Sequence, residues 1–363
     1  MPDLDNLSAW QYDLPQHLIA SRPAEQRDGA RLMVVDRSSG RISHHQVRDL
    51  PDLLSPSDRL VFNNTKVIPA RLFGFRTSTG GRWEGLFLNT EPDGRWKITG
   101  QTRGRLQVGE TLTVIPALPV ESDASAVPTP EKTLILTLTG RCEDGTWLMS
   151  PEDETKSFLE SLEEFGTLPL PPYIGRKIAD QEDCQRYQTV FASQPGAIAA
   201  PTAGLHFSEA LLQQCQQRGI RQSHVTLHVG IGTFRPVSTE RLSDHQMHSE
   251  WGCVSEETAQ EIASTQREQG NVVAIGTTSV RTLEAASLHG KLLPWSGYTD
   301  LFIRPGYQFQ TVDRLLTNFH LPGSTLLALV AALAGYETIM NAYAIAVAEK
   351  YRFFSYGDAM LIR

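Results

Sequence analysis

A loop of small residues in the middle of the chain contains the first candidates for chemistry. Residues 195–207 include two prolines and two glycines, and the prolines break any regular helix or central strand. Glycine lets a backbone approach a ligand closely, and Thr202 and His206 are the side chains here that can donate, accept or titrate. The segment therefore indicates either the wall of a binding site, with Gly204 near the ligand, or a tight connection whose small residues avoid clashes.

Two histidines lie on the next predicted strand. Alternation along residues 223–229 places His224, Thr226 and His228 on one face, and His228 leads into a turn that contains Gly230 and Gly232. Active-site side chains are common where a strand ends in such a turn. His228 is therefore a candidate for catalysis or binding, and a structural histidine is the alternative.

Residues 276–281, with the sequence GTTSVR, combine three hydroxyl side chains with an arginine at the predicted start of a helix. A helix N-terminus attracts carboxylate or phosphate, and Arg281 would add a second anion binder. The alternative is plain capping of the helix by Ser279. Neither the dinucleotide-binding pattern GxGxxG nor the P-loop pattern GxxxxGK indicates a nucleotide site in this chain.

Further polar groups lie in other predicted loops. Asp244 precedes two histidines, but zinc needs three convergent ligands and the form HExxH is absent, so no metal site is predicted. His320, in a loop before the last long helices, is either a site residue or a packing residue. Asn63 and Asn64 follow a predicted strand and suggest either a clamp for a polar ligand or an ordinary turn.

Length and composition limit the class of protein. A chain of 363 residues favours two domains, and 40% hydrophobic with 20% charged residues is typical of a soluble globular protein. A net charge of -8 gives no support to wholesale nucleic-acid binding, so a polyanion partner would need a local basic patch. Four dispersed cysteines fit a reducing cytoplasm, and the polar start lacks the order of a signal peptide. The longest apolar run, residues 326–334, predicts a buried helix and no membrane span.

The pattern of elements predicts an α/β protein with an inserted antiparallel β-barrel. Between residues 73 and 149, short β-rich runs are separated at close intervals by Gly, Pro, Asp and Asn, which is typical of a small barrel or sandwich. The flanking segments alternate strands and helices. We therefore expect a discontinuous α/β domain of residues 1–72 and 150–363, and an inserted barrel of residues 73–149.

Distinctive stretches along nearly the whole chain resemble one enzyme family. They are residues 12–15 (YDLP), 61–72 (VFNNTKVIPARL), 168–174 (LPLPPYI), 187–190 (YQTV), 195–207, 225–234 (VTLHVGIGTF), 244–250 (DHQMHSE), 274–281 (AIGTTSVR), 317–323 (TNFHLPG) and 349–359 (EKYRFFSYGDA). Together they resemble the S-adenosylmethionine:tRNA ribosyltransferase-isomerases of queuosine biosynthesis.

The resemblance implies a two-domain fold and a specific reaction. In that reaction the ribosyl part of S-adenosylmethionine is transferred to 7-aminomethyl-7-deazaguanine at the wobble position of tRNA, which gives epoxyqueuosine-tRNA, adenine and methionine. S-adenosylmethionine is then a consumed substrate, and no cofactor or metal is expected. The partners expected are S-adenosylmethionine and tRNA that carries this base, with a monomer and no membrane association.

This chemistry requires a base, because the sulfonium acidifies the adjacent 5′-carbon and loss of a proton there starts the elimination of adenine. On the matching positions, the candidate catalytic residues are His206, His228, Asp244 and His320. The candidates for binding S-adenosylmethionine are Thr202, Gly204, Gly230, Gly232, Thr233, Thr277, Thr278, Ser279 and Arg281. The candidates for binding tRNA are Asn63, Asn64, Lys66, Arg71, Tyr173, Arg176 and Lys177.

Two other classes of function compete with this interpretation. The histidines could serve a metal-dependent hydrolase, which would lose activity on exhaustive chelation. Alternatively, the protein could bind tRNA without catalysis, which release of adenine in the presence of the modified tRNA would exclude.

Overall fold

The structure is a computed structural model that describes residues 2–117, 132–230, 232, 239–287 and 290–363. The chain forms two compact units. The first comprises Met1–Lys66, Arg186–Pro195 and Ala200–Arg363, and the second comprises Val67–Gln185 and Gly196–Ala199. The second unit contains the predicted insert of residues 73–149 and extends beyond both of its ends.

The described residues form eight helices and seventeen strands, numbered in chain order. The helices are α1 (Leu50–Leu53), α2 (Phe158–Phe165), α3 (Gln181–Arg186), α4 (Glu209–Gln217), α5 (Glu256–Arg267), α6 (Thr277–Ala286), α7 (Thr325–Ala334) and α8 (Tyr336–Ala348). The strands are β1 (Arg31–Val35), β2 (Ile42–Gln46), β3 (Arg59–Asn63), β4 (Thr65–Val67), β5 (Arg71–Arg76), β6 (Arg82–Thr90), β7 (Trp96–Thr102), β8 (Thr111–Ile115), β9 (Leu134–Arg141), β10 (Trp147–Pro151), β11 (Gln194–Ala197), β12 (Arg221–Leu227), β13 (Glu250–Val254), β14 (Val272–Ile275), β15 (Trp295–Thr299), β16 (Arg314–Asn318) and β17 (Ala359–Ile362).

A nine-stranded mixed sheet forms the centre of the first unit. Its order is β15-β13-β12-β3-β14-β16-β17-β1-β2. Strands β12, β3, β14 and β16 are mutually parallel neighbours, whereas β13 and β15 pair antiparallel at one edge. Because the four parallel strands point the same way, the loops that follow their carboxyl ends meet at one edge of the sheet.

Helices cover both faces of this sheet, and the strand sequences show it. Strand β14 is an apolar run whose four residues are all buried, as expected for a central parallel strand. Neighbouring residues of β3 point to opposite faces: Val61 packs with Val280 of α6 and Leu327 of α7, whereas Phe62 packs with Leu211 of α4. The α/β fold predicted from the sequence is confirmed.

Serine caps define several helix starts. The side chains of Ser208, Ser255 and Ser324 each accept the backbone N–H three residues on, at the starts of α4, α5 and α7. The apolar run predicted as a buried helix is α7, most of which is buried. Within the part of the chain that the structure describes, no single helix is long and apolar enough to cross a bilayer; α7 and α8 would pass only as a pair, and they bend by 117° at their break.

The second unit contains a closed six-stranded barrel, in the order β10-β7-β6-β5-β8-β9. Its strands pair antiparallel and alternate buried with partly exposed residues, so the apolar side chains of one face fill the interior. The indole of Trp83 packs against two strands where glycines leave room: a Cβ on Gly85 would lie 2.2 Å from that ring. The barrel predicted for this region is confirmed.

Candidate active site

The carboxyl ends of the four parallel strands bring together loops from distant parts of the sequence. Asn63 and Asn64 end β3, His228 follows β12, Gly276 follows β14, and His320 lies two residues beyond β16. All of these loops contain residues that the sequence indicated as candidates. The crevice beyond the carboxyl ends of parallel strands is the usual binding site of open α/β sheets.

Helix α6 connects three of these loops. Arg281 of α6 forms an ion pair with Glu250 at the start of β13, and both side chains are almost fully buried. The other carboxylate oxygen of Glu250 accepts the backbone N–H of Gly230 at 2.9 Å, which holds Gly230 in place after β12. At the start of α6, Gly276 has a φ of +89°, and a Cβ there would lie 3.5 Å from that of Ala203. Candidate loops thus meet around this helix.

A cavity of about 300 Å³ lies beside the Arg281–Glu250 pair. Its walls are predominantly apolar and include Phe354, Met247 and Leu326. The polar groups come from Arg281, Glu250, three histidines and the N-terminus of α7, and its lining also contains His320, His245, His248, Gly232, Ser324 and Thr325. An apolar cavity of this size with a few convergent polar groups is typical of a small-molecule site.

His320 is a neutral imidazole in the wall of this cavity. Burial lowers its pKa to about 3, because the charged form would lose its hydration. Its Nε2 atom lies 3.0 Å from the hydroxyl of Thr317, and its backbone is held by the hydroxyls of Tyr12 and Tyr343. The ring is therefore fixed in position and neutral near pH 7, and burial makes it a weaker base than an ordinary histidine.

Phe354 lies in the cavity wall with a backbone conformation that is unusual for a bulky residue. Its φ is +74°, in the left-handed region. Three hydrogen bonds hold this conformation: its N–H donates to Phe319 O, and its carbonyl accepts from Gly357 N and from Asn318 Nδ2. Strain of this kind concentrates at functional sites. Phe354 had no direct signal in the sequence beyond its place in residues 349–359.

His228 lies in a different groove, of about 480 Å³, on the other side of β13 from Glu250. Its ring stacks on Trp251 with centroids 5.0 Å apart, and the predicted companions His224 and Thr226 line the same groove. The hydroxyl of Thr65 lies 2.8 Å from Nδ1 of His228 and 3.4 Å from the carbonyl oxygen of Gln194. Burial lowers the pKa of His228.

His206 lies in a third place, a small cleft on the sheet face that α4 covers. It ends the 3₁₀ segment Thr202–His206, whose carbonyls and packing fix it. Its Nε2 atom is 3.2 Å from Asn318 Nδ2, which also donates to Phe354 O at 3.0 Å. Because an amide nitrogen only donates, Nε2 of His206 accepts and its proton lies on Nδ1. The nitrogen that would act as a base is therefore occupied.

The hydroxyls at the start of α6 do not line the 300 Å³ cavity. Ser279 donates to Ile275 O at 2.9 Å, so it bonds back within its own helix and is not the N-cap, a position taken by Gly276. Thr277 is buried, and among the described residues the buried hydroxyl of Thr278 has no hydrogen-bond partner. Of the residues that the sequence indicated as an anion site here, Arg281 is the one that lines this cavity.

The remaining loop candidates are dispersed. Thr202 begins its 3₁₀ segment half-buried, and a Cβ on Gly204 would lie 2.8 Å from the ring of Phe191, so this glycine is needed for packing. Asp244 is exposed and does not line the cavity. Gly232 does line it, next to the ring of His248. Thr233 lies outside the described residues.

The predicted tRNA contacts are mostly engaged by carboxylates or by the backbone. In the second unit, Arg71 and Lys177 each lie 2.8 Å from Glu84, and Arg176 binds the buried Asp183. Tyr173 is half-buried there, in the segment Pro172–Ile174. In the first unit, the amide groups of Asn63 and Asn64 bind strand β12 at its carboxyl end, and Lys66 is exposed. Asn63 is therefore structural, and Lys66 and Lys177 stay accessible.

A metal centre finds no support in these groups. Considering only described residues, no three His, Cys, Asp or Glu side chains converge as a metal site requires.

Sequence reasoning also missed Glu250, which was part of the conspicuous segment 244–250 but looked like one acidic residue among many. Its burial beside an arginine on another element is visible only in the fold.

Comparison with known proteins agrees with this architecture. The model of the queuosine biosynthesis protein family matches residues 7–362. S-adenosylmethionine:tRNA ribosyltransferase-isomerases from Symbiobacterium thermophilum and Ruegeria pomeroyi are 48% and 46% identical to this chain, over 98% of it and 99% of each relative. The crystal structure of S-adenosylmethionine tRNA ribosyltransferase from Thermotoga maritima has 34% identity and a TM-score of 0.54, over 98% of this chain and 100% of that one. The chain belongs to the queuosine biosynthesis protein family.

Proposed function

We propose that this protein transfers and isomerises the ribosyl moiety of S-adenosylmethionine onto 7-aminomethyl-7-deazaguanine at the wobble position of tRNA. The products are epoxyqueuosine-tRNA, adenine and methionine. Membership of the family and the names of relatives that match almost end to end support this activity. The observation that carries it in the structure is the cavity beside the Arg281–Glu250 pair.

The walls of this cavity suit the parts of S-adenosylmethionine. The amino-acid end is a zwitterion, and the cavity offers a guanidinium for its carboxylate and a carboxylate for its ammonium, in Arg281 and Glu250. The N-terminus of α7 adds backbone N–H groups for the same carboxylate. Adenine and the sulfonium fit the apolar wall, where the ring of Phe354 provides a face for stacking and for a cation.

His320 is the candidate base in this site. It lines the cavity, it is neutral, and its ring is held in place by Thr317 and by its own backbone contacts. A proton taken from the 5′-carbon by its imidazole starts the elimination of adenine, and the sulfonium next to that carbon stabilises the negative charge that develops. His228 and His206 lie in other cavities, so both are weaker candidates for the base than His320 in this proposal.

The second substrate is tRNA that carries 7-aminomethyl-7-deazaguanine, whose aminomethyl nitrogen accepts the sugar. We further propose that the protein acts as a monomer and needs no resident metal or cofactor. The lack of convergent metal ligands among the described residues supports the metal-free part of the proposal. Sedimentation measurements on the purified protein, and activity after exhaustive chelation, test these two statements.

The test of function is incubation with S-adenosylmethionine and tRNA that carries 7-aminomethyl-7-deazaguanine. We expect release of adenine and methionine in equal amounts, together with a nucleoside whose mass increase corresponds to the added epoxycyclopentane group. A tRNA with guanine at the wobble position is the control and should release no adenine. Formation of S-adenosylhomocysteine without free adenine would show methyl transfer and would overturn the proposal.

A further inference from the structure

Three arginines from distant parts of the first unit converge on the cleft that contains His206. Arg27, Arg186 and Arg352 all line this cleft. We propose that it binds a phosphate group of the tRNA substrate, outside the cavity assigned to S-adenosylmethionine. The inference rests on the proposed function, since it takes tRNA to be the substrate, and it adds a site that none of the predicted tRNA contacts includes.

The electrostatics of the cleft favour an anion. Its described lining contains no Asp or Glu. The three guanidinium groups are near enough to act on each other and on the histidine: burial, and next the charge of Arg186, lowers the pKa of Arg27, and burial, followed by the charges of Arg352 and Arg27, lowers that of His206 to about 4. Such an excess of positive charge is unfavourable until an anion binds.

The carboxylate of Asp358 contacts one of these arginines and is largely engaged elsewhere. Asp358 accepts the backbone N–H groups of Arg31 and Arg352, at 3.0 and 2.8 Å. Its contact with the guanidinium of Arg352 is long, at 3.7 Å. This carboxylate reduces the positive charge of the cleft but does not neutralise three arginines.

Every polar side chain described so far in the cleft presents donors. Arg186 uses its two terminal nitrogens on Ala24 O and Glu25 O, and within the described residues its buried Nε has no partner. Because Asn318 occupies Nε2 of His206, this ring also has its N–H on Nδ1 to offer. Ser355 and Tyr356 also line the cleft, and their hydroxyls can donate or accept. The guanidinium and imidazole N–H groups are complementary to an oxyanion, which only accepts.

The size of the cleft indicates that it takes a group and not a whole molecule. Its volume is about 20 Å³, well below the roughly 300–1,000 Å³ of sites that enclose small ligands. A phosphate on the outside of a folded RNA can reach such a cleft while the rest of the molecule stays at the surface. Planar guanidinium groups also match phosphate oxygens in a bidentate manner. The carboxylate of S-adenosylmethionine shares this chemistry and is the other source that the experiment must separate.

The residues of the second unit that were predicted to contact tRNA differ from the arginines of the cleft, because carboxylates are paired with them. Arg71 and Lys177 share the carboxylate of Glu84, and Arg176 binds Asp183. Those ion pairs neutralise most of the local charge. The three arginines of the cleft keep their net positive charge, although the chain as a whole carries a charge of -8. The local basic patch that a polyanion partner requires is therefore present here.

The experiment measures how the affinity for tRNA depends on salt, in the full-length protein without turnover. Arg352→Gln is the principal variant, because the contacts of Arg352 with Arg22 O (3.5 Å) and Asp358 (3.7 Å) are the longest in the cleft. Arg186→Gln is the second variant. Arg267→Gln, on the exposed face of α5, is the matched control. The probe is tRNA with 7-aminomethyl-7-deazaguanine, titrated from about 50 to about 200 mM salt.

We expect Arg352→Gln and Arg186→Gln to weaken tRNA binding and each to reduce the slope of log Kd against log salt by about one. The KM for S-adenosylmethionine should stay within about twofold of wild type. Slopes equal to that of the Arg267→Gln control would overturn the proposal. A raised KM for S-adenosylmethionine with unchanged tRNA binding would also overturn it and would assign the cleft to the methionine carboxylate.

A variant that unfolds is replaced by its lysine counterpart. Arg352→Lys keeps the charge and should keep the slope, but it loses bidentate geometry and should bind tRNA more weakly; unchanged affinity would count against the site. Adenine release by the wild type separates this inference from the proposed function. If the variants show a reduced salt slope but the wild type releases no adenine, the phosphate site stands and the proposed function is overturned. If the wild type releases adenine but the variants keep the slope of the control, the proposed function stands and the phosphate site is overturned.

Discussion

Arg281 and Glu250 form a buried ion pair that joins helix α6 to strand β13, next to the apolar cavity of about 300 Å³. Arg281 also donates to the carbonyl of Leu301 at 3.2 Å, and Glu250 also accepts from the backbone of Gly230. The charges are therefore held by several hydrogen bonds, as a buried pair requires. The pair positions a cation and an anion where the proposed substrate has charges of opposite sign.

Replacing Glu250 tests both roles of this pair. Glu250→Gln leaves the guanidinium of Arg281 buried without its counter-charge, and removal of one partner of a buried pair costs about 3–5 kcal/mol. We expect urea unfolding to show a loss of this order, and a raised KM for S-adenosylmethionine in the folded fraction. Glu256→Gln, at the exposed start of α5, is the control. A loss equal to that of the control would contradict the role given to the pair.

Phe354 is predicted to contribute to binding of S-adenosylmethionine through its ring. Phe354→Leu keeps an apolar side chain but removes the aromatic face, and a contact between a ring and a cation is worth roughly 0.5–2 kcal/mol. We expect the KM for S-adenosylmethionine to rise by about three- to thirtyfold, with a small change in Tm. Phe309→Leu, another half-buried phenylalanine of the same unit, should leave this KM unchanged. Equal KM values for S-adenosylmethionine in both variants would show that Phe354 does not contribute to its binding.

The three candidate histidines are predicted to differ in their effect on turnover. A general base contributes roughly 10²–10⁴ to the rate, so His320→Asn should lower kcat by that factor. His206→Asn and His228→Asn should each retain kcat within about tenfold of wild type, since their rings lie in other cavities. Single-turnover measurement of adenine release distinguishes these cases. A large loss in His228→Asn, with His320→Asn active, would transfer the role of the base to the other groove.

The stability of the protein is predicted to fall below about pH 6.5 because of buried neutral histidines. His206 and His320 have folded-state pKa values of about 4 and about 3, against 6.5 for an ordinary histidine. As the pH falls through 6.5, the unfolded chain takes up protons that the folded chain does not, so the free energy of unfolding decreases. Each group contributes at most about 1.4 kcal/mol per pH unit.

The measurement for this prediction is urea unfolding at about pH 7.5 and about pH 5. His206→Gln should lose less stability between these values than the wild type does, because glutamine does not titrate. The exposed His17→Gln is the control and should follow the wild type. An identical loss in His206→Gln and in the wild type would contradict the assignment of a neutral buried His206.

The fold could be predicted from the sequence because its signals are local. Strand β14 is a short apolar run after a glycine, and serine caps mark α4 and α5. The barrel was visible as closely spaced β-rich runs with turn residues between them. One interpretation of the sequence had Ser279 cap α6, whereas the helix begins at Thr277, because Gly276 and not a hydroxyl residue takes the cap position. The preference for a hydroxyl residue at the N-cap position therefore indicated the wrong cap for this helix.

The site was predicted less completely, because it depends on which face of the sheet each side chain occupies. His228 and His320 follow strands β12 and β16, and His206 ends the 3₁₀ segment Thr202–His206, yet the three rings line three different cavities. Asn318 and Thr317 are neighbours in sequence, but they hold His206 and His320 respectively. Glu250 and Arg352 have partners or neighbours more than 30 residues away, which one sequence without a fold does not reveal.

The most direct test of the account is a crystal structure of the protein with S-adenosylmethionine bound. We predict the ligand in the cavity between β13, α6 and α7, with its carboxylate at Arg281, its ammonium at Glu250, and His320 as the side chain nearest to the 5′-carbon. Ligand density in the groove of His228 or in the cleft of His206, with this cavity empty, would contradict the account.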